Sequence, residues 1–436
     1  MQALQSRAAA GRPLCQHRCA VWTRRSRLQP VCQISSTTEV AVHTEGLVFS
    51  RGSSGAWDSA AVGNPVVRCY MGDNEQRWYM WYSGSSAPLA GLAGVAPAAG
   101  SIGVAVSHDG IDWLRGDGLV EGHRGSAKDG DVGVVLGPNS DSWWALDTCH
   151  LAVSDVQVLS NSSVSSGVGV YWMFYSGGDF EPVPAPPGLP GAAAGDAVEG
   201  LRMRPGLAMS QDGRNWARIE ADHHTWALFD VGEAGQWDAA YIGHPQVLAA
   251  GPRDMRMYYH SFDAAAGKFK VGLATSKDGF QWSKAGPVFE GGAAAGDFDA
   301  AGAAACQVVR DPDSRQFLMF YEAVAADGSR SIGLATSADG RSNWKRCSQP
   351  ILQPNDAADA WDAGGVGAPC AVAMSEGKWR LYYAGRRQQQ GPWEGIGVAL
   401  GGPGEGGGVL SFKRRTGKKQ QQGEQQQQQQ MLGELQ

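Results

Sequence analysis

The sequence predicts an all-β fold, a five-bladed β-propeller of four-stranded antiparallel blades, from three features that recur in step along the chain. The first is Ser-x-Asp-Gly followed by Trp: Ser107-His108-Asp109-Gly110 with Trp113, Ser210-Gln211-Asp212-Gly213 with Trp216, Ser276-Lys277-Asp278-Gly279 with Trp282, and Ser337-Ala338-Asp339-Gly340 with Trp344. The second is an aromatic strand upstream of each copy, and upstream of a fifth apolar run Ile396-Gly397-Val398-Ala399-Leu400; these strands are residues 78–82, 171–175, 257–259, 317–321 and 379–383. The third is a bulky apolar residue followed by Asp, which announces another strand in each unit: Trp57-Asp58, Leu146-Asp147, Trp237-Asp238, Phe298-Asp299 and Trp361-Asp362. From Trp237 the pitch is about 60 residues, enough for four short strands and their turns.

Unit three shows the order most plainly. An inner strand at 245–248 leads to an aromatic strand at 255–259, a Gly-containing strand at 269–275 and an outer strand at 282–289. A four-stranded sheet cannot cover both of its faces, and five of them stacked around an axis bury one another. Gly46-Leu47-Val48-Phe49 reads like Gly286-Pro287-Val288-Phe289 but has no unit of its own. It is expected to complete the fifth blade and so remove a free sheet edge, with Val409-Leu410-Ser411-Phe412 supplying the rest of that strand or competing for it.

The ends differ from the body. Residues 1–38 contain six arginines and no Asp or Glu, the composition of an organelle transit peptide. The Val31-Cys32 neighbourhood is of the chloroplast type, with a mitochondrial presequence as the alternative. Without those arginines the formal charge of −6 becomes about −12, which disfavours nucleic-acid binding. No apolar run is long enough for a membrane span. Cys69, Cys149, Cys306, Cys347 and Cys370 have no zinc spacing and read as thiols of a reducing compartment. The propeller is assigned to residues 43–412, and residues 413–436 to a basic, Gln-rich disordered tail. No cofactor and no metal is expected, and no protein partner is identified.

The combination of Trp-Asp, then Trp81-Tyr82-Ser83-Gly84, then Ile-Gly-x-Ala-x-Ser-x-Asp-Gly-x-x-Trp resembles the five-bladed propellers of glycoside hydrolase family 43 and its arabinanase, levansucrase and invertase relatives. The resemblance covers about residues 43–412; it implies a fold, and a carbohydrate ligand in an axial pocket, more strongly than any one activity.

Propeller topology sends the Ser-x-Asp-Gly turns to the face opposite that pocket, where Asp bonds local backbone and Gly takes positive φ. It sends three long insertions, 85–100, 122–145 and 178–202, to the mouth, as a cleft or lid. The five repeated aspartates, Asp58, Asp147, Asp238, Asp299 and Asp362, also lie towards the mouth, either stapling the blade connections or lining the pocket. Aligning the inner strands on Gly243-His244-Pro245 makes Asn64, Asp155, His244, Ala305 and Ala368 equivalent. The resemblance implies an Asp base, an orienting Asp and a Glu acid at the first three places, and only Asp155 matches. Inverting hydrolysis needs two carboxyl groups, and Asn64 cannot act as a base. His244 titrates near neutrality and is available as acid, base or metal ligand, or else simply bonds within a polar channel. Glu322, at the place held by Ser83, Ser176, His260 and Ala384 in the other blades, is the candidate displaced acid. His150, just before the second inner strand, is the residue that would join His244 and Asp155 in a metal site, for which three scattered ligands are a weak signal; it is also, with Asn64 and His260, a candidate substrate-binding residue. Arg310-Asp311-Pro312 copies an invertase motif but falls in a hairpin on the wrong face. Two functions follow: a propeller that has lost hydrolysis and binds glycans or serves assembly in the plastid, or an active enzyme using Asp155 with His244 or Glu322. The missing carboxylates favour the first.

Overall fold

The structure, a computed structural model, describes residues 44–71, 76–116, 133–159, 169–404 and 410–416; the expected transit peptide, residues 1–38, and nearly all of the basic tail lie outside these residues. The fold is an all-β propeller. Among the described residues, strand pairing makes five antiparallel meanders, here called blades one to five. Their inner strands are Ala61–Met71, His150–Leu159, Gly243–Gly251, Gly302–Arg310 and Gly365–Ala373. Each inner strand touches the next, and the fifth touches the first, so they form a closed cycle around the axis. An apolar core fills each of the five blade interfaces: Trp81 and Ile102 meet Val156 and Met173 between blades one and two, and Tyr382 and Val398 meet Val67 and Met80 between blades five and one.

The repeated motifs are the joints of this ring. Ser107 Oγ accepts from Asp109 N and Gly110 N, and Asp109 Oδ1 accepts from Ile111 N and Asp112 N; the other three copies bond alike. The turn then presents its Gly carbonyl to the preceding blade, as when Tyr382 Oη donates to Gly110 O at 2.8 Å and Trp81 Nε1 to Gly213 O at 2.8 Å. The Gly of Ile-Gly-x-Ala lies under two rings: a Cβ on Gly103 would collide with Trp57 and Tyr82. Asp311 and Pro312 sit in the turn joining Gly302–Arg310 to Phe317–Val324, where Asp311 caps its own loop.

The outer strands share a design that only blade three displays unbroken. Trp282–Phe289 runs as one strand, with Gly286 at φ 95°. In blade one the same strand is split into Leu114–Arg115 and Val134–Leu136, the second half opening after Gly133 at φ 88°. Residues 133–136 therefore belong to a blade edge and not to a mouth loop, which corrects the placing of the 122–145 insertion; residues 122–132 lie outside the described residues. In blade five the halves come from opposite ends of the chain. Ser411–Arg414 pairs with residues 399–402, and Leu47–Ser50 with residues 395–397, of the same strand, Gly395–Gly402. Gly46 N donates to Arg415 O at 2.9 Å across the break. Lys413 and Arg414, read from composition as tail, are thus part of the sheet.

Candidate functional site

The inner strands carry a β-bulge at one level, and that bulge decides which side chains reach the axis. Gly63, Ala152, Gly243, Ala304 and Gly367 pair with Ser83, Ser176, His260, Glu322 and Ala384. One residue further stand Asn64, Val153, His244, Ala305 and Ala368. Asn64, His244 and Ala368 adopt φ of 50°, 49° and 45°, each just before a proline, so the backbone is held in a conformation that non-Gly residues seldom adopt. Asp155 is not in this ring. Its register partner Phe174 sets it level with Gln246 and Gln307, two residues deeper, so that Val153 and not Asp155 is the counterpart of Asn64 and His244.

That deeper layer is a hydrogen-bond relay between blades. Asp155 Oδ2 accepts from Val247 N at 3.0 Å, Gln246 Oε1 from Val308 N at 3.0 Å, Gln307 Oε1 from Ala371 N at 2.6 Å, and Cys370 Sγ from Val67 N at 3.3 Å. Arg68 joins blade one to blade two, pairing with Asp155 Oδ1 and donating to Val156 O at 2.9 Å. Asp155 also accepts from Val156 N, Gln157 and Gln246. With five donors on two oxygens it braces the ring and has no lone pair to offer a substrate.

Above the relay lies a chamber of about 30 Å³ lined by Asn64, Ser176, His244, His260 and Glu322, among others. That is room for about two or three waters and about a tenth of a small ligand pocket. Glu322 is fully engaged: Oε1 pairs with Arg330 and Oε2 accepts from Ala368 N at 2.9 Å. Burial lowers His244 to about 4, against the raising effect of Asp155, and lowers His260 to about 3, assisted by His244 and Arg330. Both rings are therefore neutral at physiological pH. His150, likewise lowered to about 4 by burial, donates Nε2–H to Gly200 O at 2.9 Å. Among the described residues no three His, Cys, Asp or Glu side chains are arranged to hold a metal ion.

The chamber is narrowed by the first and third insertions. Leu92, Val183, Leu189, Val198 and Leu201 make a small core of their own over Tyr241, Phe262 and Ala304. Val95, Ala96 and Pro97 roof the chamber with Trp393. Arg330 donates to Gly94 O, tying the roof to the Glu322 pair. Gly94 passes so close to Pro190 that any Cβ would strike its carbonyl.

The five repeated aspartates do not line the chamber. Each is buried and pairs with a cation of its own blade's outer strand: Arg115 on Asp58 at 2.8 Å, Arg218 on Asp147 at 2.7 Å, Lys284 on Asp238 at 2.8 Å, Arg346 on Asp299 at 3.2 Å and Arg414 on Asp362 at 2.8 Å. Tyr82, Tyr259, Tyr321 and Tyr383 donate to the same carboxylates. Sequence reasoning missed Arg68, Arg330 and the two axial glutamines, since nothing in a repeat marks a residue that bonds to the neighbouring blade. The mouth face still has an open cleft of about 470 Å³, off the axis between blades two and three.

No family model matches the chain, and no curated protein matches it. Solved structures do. A thermostable family-43 glycoside hydrolase superposes with TM-score 0.55 at 15% identity, covering 85% of this chain and 98% of its own. The chain has the fold of glycoside-hydrolase propellers. A glycosyl hydrolase from Bacteroides ovatus matches with TM-score 0.50 at 16% identity over 84% of this chain and 93% of its own. A hydrolase of the GH130 mannoside phosphorylase family, acting on β-1,2 mannosidic linkages in Candida mannan, matches with TM-score 0.51 at 16% identity over 83% and 92%. At such identities the likeness is one of fold.

Proposed function

We propose that this protein is a glycoside-hydrolase-type propeller that does not hydrolyse glycosides and acts by binding carbohydrate, in the plastid. The observation that carries this reading is the narrow axial chamber, whose volume of about 30 Å³ is too small for a sugar ring and whose lining carboxylate, Glu322, is neutralised by Arg330. Asn64 supplies no base, and Asp155 is consumed by the relay. Hydrolysis needs an acid and a base on opposite sides of a bound glycosidic bond; this axis offers neither the pair nor the room. The acid-free, arginine-rich leader supports the plastid assignment.

The purified full chain, incubated with linear arabinan, β-1,2-mannan and starch, is expected to release no reducing sugar above a heat-denatured control while binding at least one neutral glycan by isothermal titration. Turnover abolished by Glu322→Gln would establish the active-enzyme alternative. Fusion of residues 1–43 to a fluorescent protein is expected to direct it to chloroplasts, and cytosolic or mitochondrial fluorescence would remove that part of the reading.

A further inference from the structure

The axis is full, yet blade two displays the features of a saccharide site on its rim. Trp143 is 84% exposed and Trp144 43%. They meet edge to face at 5.8 Å, and Trp144 meets Trp226 edge to face at 6.2 Å. Trp226 is itself anomalous. It has φ 65° at the outer-strand place where blades one, three and five have Gly133, Gly286 and Gly46, all at positive φ. Three residues on, Phe229 packs on Tyr259 of the next blade just as Phe289 packs on Tyr321 and Phe49 on Tyr82, which fixes the correspondence. A tryptophan there bears a strain that glycine would avoid, and what it contributes is a third ring beside an exposed pair.

The same segment continues into the open cleft. Trp226 N donates to His223 O at 2.7 Å; His223 Nε2 lies 3.5 Å from Asp230 Oδ2; and Asp230 is part of the cleft wall. The cleft has an apolar floor that includes Leu201 and Phe262, and charged walls that include Arg202, Arg204, Asp230 and Asp263. Every one of those charges is already balanced. Arg204 bonds Asp230 at 2.6 Å and Asp179 at 3.0 Å, Arg202 bonds Glu181 at 2.7 Å, and Lys270 bonds Asp263 at 3.0 Å. A charged ligand would have to break an ion pair to enter. A neutral polyhydroxyl ligand accepts from guanidinium and donates to carboxylate without disturbing either, while its C–H faces lie on aromatic rings.

We propose that a neutral oligosaccharide binds off the axis, with one sugar ring on the Trp143–Trp144 platform and its neighbours in the cleft between blades two and three. This rests on the carbohydrate-binding reading above and names its site. The third insertion serves both places: Val183 and Leu201 belong to the roofing core and also line the cleft.

The test is isothermal titration, with tryptophan fluorescence in parallel, of the full chain and the variants Trp143→Ala, Arg202→Ala and Asn64→Gly against maltohexaose, cellohexaose, 1,5-α-arabinohexaose and an anionic oligogalacturonide. The wild type is expected to bind a neutral oligosaccharide with fluorescence change. Trp143→Ala and Arg202→Ala should each weaken it about tenfold, the worth of one stacking or charge-assisted contact, while Asn64→Gly binds as the wild type. Loss of binding in Asn64→Gly with both rim variants unaffected would return the site to the axis, overturning this inference while leaving carbohydrate binding intact. Preference for the oligogalacturonide would overturn the neutral ligand class. Binding of none of the four sugars by the wild type would remove the carbohydrate reading and this site with it.

Discussion

At the axis, Glu322, Arg330, His244 and His260 are packed around a space of about 30 Å³; between blades two and three, Arg202, Arg204, Asp230 and Asp263 wall a cleft of about 470 Å³, and blade two also carries the exposed Trp143 and Trp144. Both places hold paired charges, yet their consequences differ. A buried pair is an obligation, because either partner alone would be stranded without water. The Arg202–Glu181 pair at the rim, with side chains 31% and 59% exposed, is a reversible surface, because solvent or a hydroxyl can replace its bond, whereas Arg204 is as buried as Arg330. On the proposed reading, the charged groups of the axis hold the ring together and the ligand binds in the outer cleft.

Breaking the axial pair should have the largest effect. Glu322→Ala leaves Arg330 buried and uncompensated, a change expected to cost about 3–5 kcal/mol in urea unfolding. The double variant Glu322→Met with Arg330→Met should recover most of that loss, since an apolar pair of similar size leaves no stranded charge. Equal destabilisation by single and double variants would mean that the pair does not carry the axis.

Acid should act on the same region. His150 and His244 titrate near 4 and His260 near 3 in the folded chain, against about 6.5 when unfolded. Between these limits the unfolded chain binds more protons, so stability is complete above about pH 6.5 and falls as pH drops towards the folded values. At pH 5 the loss is about 2 kcal/mol for each of these rings. Urea midpoints at pH 7 and pH 5 measure it, and His150→Gln should make the pH dependence shallower. A midpoint that did not move would contradict the neutral buried rings.

How much of this was legible in the sequence depends on whether the information repeats. The aromatic strands recur in all five blades and the Ser-x-Asp-Gly turns in four of them, so strands and faces could be counted off. Even the fifth blade's composite edge was readable, since Gly46-Leu47-Val48-Phe49 repeats the end of Trp282–Phe289. The axis was harder because the inner strands share no residue that fixes their alignment. Pairing makes Val153 the counterpart of Asn64 and His244, and Asp155 that of Val66, Gln246, Gln307 and Cys370, two places deeper. The partners of Asp155 and Glu322 come from other strands, and Arg330 looks like any strand-opening arginine until the strand is paired. The Ala- and Gly-rich insertions read as loose loops, whereas Leu92, Val183 and Leu201 gather them into a core only in three dimensions.

The roof offers a smaller lever. A Cβ on Gly94 would strike the carbonyl of Pro190, so Gly94→Val should push the two insertions apart at a cost of about 1–3 kcal/mol and expose residues 86–100 to limited proteolysis. An unchanged digestion pattern would show that the roof is not closed at this contact.

The smallest stability change is expected at the rim, and its smallness is the point. Trp143 is 84% exposed and its ring touches chiefly Trp144, so little apolar surface is returned to water when it is removed. Trp143→Ala should shift the urea midpoint by no more than about 0.5 kcal/mol, far below the change at Glu322. A large exposed ring that contributes almost nothing to folding has its worth elsewhere, as residues at functional surfaces do. If Trp143→Ala instead destabilised the protein by as much as a core truncation, the ring would be a packing element, and the contrast between a structural axis and a ligand-facing rim would collapse.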